Sequence, residues 1–174
     1  MNTGGERLAE LTGGLAMMRA RLARAAESAG RPVEDITLLP VTKFFPAADV
    51  AILWRLGCRT FGESRAQEAA AKIAEFDALV GAPAHHGPGT SPVRWHMVGQ
   101  VQRNKARAVA GWADTVHSVD SEAVAAALDK AARAALDDGR RSAPLRAFVQ
   151  VSLDGDTSRG GVASTDPTGI DRLC

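Results

Sequence analysis

Apolar runs of strand length alternate with helix-length segments through most of the chain, and this alternation constrains the fold more than any other feature. Leu8, Leu11, Leu15, Met18 and Leu22 recur at three- and four-residue spacing, which predicts an amphipathic helix stopped by Gly30-Arg31-Pro32. Strands are then predicted over 36–43, 59–62, 93–98, 115–119 and 145–153. Helices near 47–56, 65–79 and 101–111 and a long alanine-rich helix lie between them. The long helix is expected to begin at Ser121 with Glu122 in its first turn and to close at Gly139. Five short, mostly apolar strands joined by helices predict βα units and a parallel sheet covered on both faces. Thr165-Asp166-Pro167 is a further helix start, a capping residue followed by proline. Five units cannot close an eight-stranded barrel, so the pattern fits either an open five-stranded α/β sheet or part of a longer barrel.

With 174 residues the chain suits a single domain over 1–174. Its net charge of +1, with both signs interspersed, offers no basic field for nucleic acid or membrane. Cys58 and Cys174 lie far apart without metal-ligand spacing, so neither a disulfide framework nor a metal site is expected. Glu6 and Glu10 interrupt the N-terminal region, no signal peptide is expected, and no apolar run is long enough to span a bilayer; the expected compartment is the cytoplasm. The paired His85-His86 sit in a Gly/Pro loop without a third ligand and are read as solvated.

Three segments fall where strands end, the place at which parallel α/β proteins meet ligands. The first is Leu39-Pro40-Val41-Thr42-Lys43, followed by Phe44-Phe45-Pro46. A lysine held between a buried strand and two phenylalanines would be partly desolvated, which frees its amine as a nucleophile able to form a Schiff base. The same lysine could instead snorkel to solvent. The second is Phe61-Gly62-Glu63-Ser64, in which Ser64 could equally be a helix N-cap. The third is Trp95-His96-Met97-Val98-Gly99-Gln100, leading into Gln102-Arg103-Asn104-Lys105. His96 is either a hydrogen-bonded core residue or a site residue, and the basic group after it either a solvated helix start or a small anion patch.

Together these segments resemble the YggS family, the pyridoxal-phosphate homeostasis proteins, and through them the barrel domain of alanine racemase. Gln67-Glu68, His117-Ser118-Val119-Asp120-Ser121 and Gln150-Val151-Ser152 extend the match from about Leu8 to Cys174. The resemblance implies a (β/α)8 TIM barrel of the alanine racemase N-terminal type, here with only about five βα units. It implies pyridoxal 5′-phosphate as cofactor, held as an internal aldimine on Lys43, with Ser64 standing where the family has asparagine and His96 close to the cofactor ring. The phosphate-binding segments of the family have no counterpart here, and Gly155 to Gly161 follows the fifth strand and is not a substitute. The chain is therefore expected to be an incomplete barrel that lacks about the final third.

Two functions follow from the resemblance. A carrier would hold the cofactor reversibly and pass it to apoenzymes, with no catalytic residue of its own, as a monomer. A racemase or decarboxylase would use the same linkage, but racemisation needs two opposed bases, and the second base of alanine racemase is a tyrosine, a residue this chain does not contain. A cofactor-free phosphate or RNA surface on Arg103, Lys105 and Arg107 is disfavoured by the near-zero net charge. Cofactor handling without substantial racemase activity is the expected function.

Overall fold

In the computed structural model, residues 4–81 and 93–174 are described, apart from the side chain of Arg159; His85-His86 lie outside them. Six α-helices and six short strands appear among the described residues, here numbered along the chain. Helix α1 spans Gly4–Ser28 and α2 Ala47–Arg55, and β1 (Thr60–Glu63) leads into α3 (Ala66–Val80). Strand β2 (Arg94–Met97) precedes a 3-10 turn at Arg103–Lys105 and α4 (Ala106–Ala110); β3 (Thr115–Val119) precedes α5 (Glu122–Asp137). Then follow β4 (Arg146–Val149), β5 (Val151–Ser152), β6 (Val162–Ala163) and α6 (Pro167–Leu173).

The helix ends follow their local chemistry. Gly57 closes α2 at φ 92° and Gly139 follows α5 at φ 69°, both left-handed positions that favour glycine. Asp166 caps α6, its carboxylate accepting the Gly169 N–H at 2.9 Å. Ser121 holds the N-cap position of α5, but its hydroxyl donates to Asp120 instead of capping. The N-cap of α3 is Arg65, not Ser64.

The four strands β1-β2-β3-β4 form a parallel sheet in sequence order. The predicted strand 36–43 is reduced to one parallel bridge, Val41 to Gly62. Pro40 has no N–H to offer a neighbour, and the Leu38 carbonyl accepts the Thr60 hydroxyl at 3.3 Å. The predicted strand 145–153 is split at Gln150, whose N–H donates to Val119 (2.8 Å) while its carbonyl accepts from Val162 (2.9 Å). Gln150 thus ties the main sheet to the parallel pair β5-β6, and β6 is a strand the periodicity did not show.

The order runs in one direction without reversal, and successive helices from α1 to α6 pack on one another. Right-handed crossovers wound one way put every helix on the same face. Phe61, Trp95, Met97 and Val116 point into that layer and are buried. Phe61 and Phe76 each meet Trp95, at 5.5 and 5.6 Å between ring centroids, beneath Val50, Ala51 and Leu15. On the opposite face Val41 and Phe148 remain about half exposed, so the sheet is covered on one side and open on the other.

Replacing Phe61, which is fully buried, with alanine should cost about 3–5 kcal/mol in denaturant unfolding. Leu153→Ala, at an exposed position, should stay within about 0.5 kcal/mol of the parent chain. Similar losses for the two would show that the aromatic cluster is not the core.

Candidate functional site

All parallel strands leave the sheet at one edge, and Lys43 stands there. Directly before it, Thr42 is 3% exposed, and each of its polar groups is held. Its N–H donates to the Gly62 carbonyl (2.8 Å) and its hydroxyl to Glu63 Oε1 (2.7 Å). Its carbonyl accepts from Phe45 N–H (2.9 Å) and from Lys72 Nζ (2.8 Å). Glu63 is itself buried and takes the Lys72 ammonium on both oxygens, at 2.8 and 2.9 Å. A carboxylate in so dry a place persists as a charge only when paired and hydrogen-bonded, and this one meets both conditions.

The side chain of Lys43 is exposed, its Nζ 5.3 Å from the centroid of the Phe44 ring. The apolar enclosure expected from the sequence is absent. Phe44 is 71% exposed and Phe45 48%, because the turn closed by Phe45 N–H to Thr42 carries both rings away from the core. Lys43 therefore joins a fixed backbone root to a free amine.

His96 lies in the same sheet row as Val41 and Gly62. A Cβ on Gly62 would approach Val41 Cγ2 to 3.2 Å and Val98 Cγ1 to 3.3 Å, so glycine keeps this row shallow. His96 Nδ1 is 2.8 Å from His117 Nε2, where one ring must donate and the other accept. Nε2 of His96 is buried and has no hydrogen-bond partner among the described residues. Burial, then the fields of His117, Arg94 and Arg146, push the His96 pKa down to about 4; burial lowers that of His117 as well. Both rings are neutral at neutral pH. His117, quoted from the sequence only as part of the family match, and its neighbour Phe148, 5.0 Å away ring to ring, stand beside His96, and neither was given a role in the motif reading. Their signal was a second histidine inside an apolar strand adjacent to the first.

Ser64 is placed differently. It lines a cleft of about 310 Å³ with Gln67, Gln100, Gln102 and Lys105 between the starts of α3 and α4. Among the described residues no hydrogen bond joins it to Lys43 or His96. Its backbone does shape the edge, for a Cβ on Gly99 would fall 2.2 Å from the Ser64 carbonyl oxygen. Ser118 Oγ donates to the Gly99 carbonyl and holds that loop down. In the Gly155–Gly161 loop, Asp154 and Asp156 accept the N–H groups of Asp156 and Ser158, so the turn is spent on its own structure. No group of three or more potential metal ligands occurs among the described residues. No described helix is long and apolar enough to cross a membrane.

The chain is 61% identical over 170 residues to the "Pyridoxal phosphate homeostasis protein" of Mycobacterium tuberculosis, covering 97% of this chain and 65% of the relative. The proteins of the same name in Corynebacterium glutamicum and Escherichia coli are 43% and 34% identical over 152 and 148 residues, covering 87% and 85% of this chain and 62% and 57% of theirs. Over nearly its whole length this chain is similar to the pyridoxal phosphate homeostasis proteins. It spans about 65% of the length of the mycobacterial relatives. Among solved structures it is similar to PipY of Synechococcus elongatus with PLP bound, at TM-score 0.61 and 30% identity, over 87% of this chain and 63% of PipY. A crystal structure of a protein from Bifidobacterium adolescentis superposes at TM-score 0.77 with 28% identity, over 96% of this chain and 63% of that one. No family model matches the sequence.

The histidine pair predicts a pH dependence. Unfolded, the His96 ring takes its proton near about 6.5; folded, only near 4. Below about pH 6.5 the unfolded state binds the extra proton, so stability falls as pH is lowered, with the loss complete near the folded value. His96→Asn should flatten the melting temperature between pH 6.5 and 4.5 relative to the parent. Parallel curves through that window would contradict the burial of a neutral ring.

Proposed function

We propose that this chain binds pyridoxal 5′-phosphate covalently through Lys43 and serves to hold the cofactor and release it to apoenzymes, without substantial racemase activity. The observation that carries this reading is the exposed Lys43 amine, fixed at the carboxyl edge of a parallel sheet by the fully bonded Thr42. The relatives named for pyridoxal phosphate homeostasis and the PLP-bound PipY support the same cofactor. When bound, the cofactor supplies an aldehyde that a primary amine captures.

The residues present fit such a group. The Lys43 amine is open to it, Nε2 of His96, unpartnered among the described residues, belongs to the row that passes from Val41 through Gly62, two strands along, and Gly62 keeps that row low. His96 and His117 would orient the ring as neutral hydrogen-bonding groups, and Ser64 would act through its backbone at the rim. Their hydrogen bond to each other takes up one nitrogen of each, which disfavours the pair as the opposed bases of a racemase. The sequential order of strands and the single helix layer support a (β/α)8 barrel of the alanine racemase N-terminal type, to which residues 1–174 contribute one domain. We read the working protein as a monomer in the cytoplasm, with no nucleic-acid or membrane partner.

Lys43→Ala should lose both the visible absorbance and the borohydride-stable adduct formed with pyridoxal 5′-phosphate. Lys43→Arg should lose them equally, since a guanidinium stays protonated and cannot attack a carbonyl. Full retention of the adduct in either variant would sink the assignment.

A further inference from the structure

We infer that Glu63 and Lys72 are positioning residues for Lys43: their buried ion pair fixes the peptide on which the reactive amine is mounted, without touching the amine. The inference rests on Lys43 as the attachment point. Three observations carry it. The segment bearing Lys43 has a single β-bridge, so a strand ladder does not hold it. The Lys72 ammonium donates to the Thr42 carbonyl, the oxygen of the peptide that enters Lys43, while Glu63 accepts the Thr42 hydroxyl. The pair is well out of water, with side-chain exposures of 12% for Lys72 and 2% for Glu63, so these bonds escape the screening that makes surface pairs weak.

Lys72 comes from the middle of α3, and Glu63 closes β1. The pair therefore references the Lys43 peptide to two elements of the packed layer, in place of a third strand bond. A flexible root would let the exposed amine sweep a wide volume and would lower the fraction of time it spends in a capture geometry. A fixed root with a free tip allows fast, reversible capture.

The test uses the Glu63→Gln/Lys72→Met double variant, which removes both buried charges together and keeps an amide to accept the Thr42 hydroxyl. Removing a buried pair jointly is far milder than orphaning one charge. Circular dichroism should show the variant folded, and 2,4,6-trinitrobenzenesulfonate should label Lys43 at the parental rate, since the amine is exposed in both. Capture of pyridoxal 5′-phosphate, read as borohydride-trapped adduct at limiting cofactor, should fall about tenfold or more, the scale of one lost charge-assisted hydrogen bond. Lys72→Arg, which keeps a cationic donor, should recover part of the loss. If the double variant unfolds, Thr42→Val serves instead: it removes one hydroxyl, leaves the ion pair, and should slow capture severalfold. A folded variant that captures the cofactor like the parent overturns the clamp while leaving Lys43 as the attachment point. No adduct on Lys43 in the parent overturns that assignment, and this inference with it.

Discussion

The carboxylate of Glu63 lies at the end of a strand in a nearly dry interior, and the arrangement of the sheet's carboxyl edge depends on how that charge is met. Lys72 meets it from α3, and the same ammonium reaches over to the Thr42 carbonyl. One contact thereby joins β1, α3 and the segment before α2. Removing either partner alone would leave a buried charge unpaired, a loss of about 3–5 kcal/mol. A second pairing, of Arg7 with the buried Asp49, does the comparable task of docking α1 on α2. The elements around Lys43 are thus held by polar bonds on the helix side, which leaves the other side of the sheet free for a ligand.

That division follows from the winding of the chain. Parallel strands added in one direction collect their helices on one face, and the apolar side chains of that face, Phe61, Trp95, Met97 and Val116, form the core. The opposite face carries His96, His117 and Phe148, a polar pair beside a half-exposed ring. In a closed barrel this second face would line the interior, where neutral histidines and a lysine at the rim suit a small planar ligand.

Much of this was legible in the sequence, for a local reason. Helix ends are written by nearby residues, so α2 before Gly57, α5 between Ser121 and Gly139, and α6 after Asp166-Pro167 fall close to where periodicity and capping put them. Strand pairing is not local. The run 36–43 reads as a full strand, yet Pro40 withholds the donor a ladder needs and one bridge remains. Lys43 follows the one bridge that remains of that run, at Val41, and the apolar enclosure expected around it is absent. Two aromatic neighbours in sequence suggested an apolar enclosure, whereas the turn at 42–45 points both rings outward. The Glu63–Lys72 pair was missed although a signal existed. Lys72 falls between Ala69 and Phe76 at helical spacing, a charge on the buried stripe of α3, and such a residue asks for a partner.

The central claim is that Lys43, and no other amine, takes up the cofactor. The chain has four lysines: Lys43, Lys72, Lys105 and Lys130. The direct measurement is a peptide mass map of the unaltered protein after incubation with pyridoxal 5′-phosphate and borohydride reduction. The account predicts the reduced pyridoxyl phosphate mass on the peptide containing Lys43, at near-stoichiometric yield, with Lys72 unlabelled in its ion pair. A label concentrated on Lys72, Lys105 or Lys130, or spread evenly over all four, would contradict it.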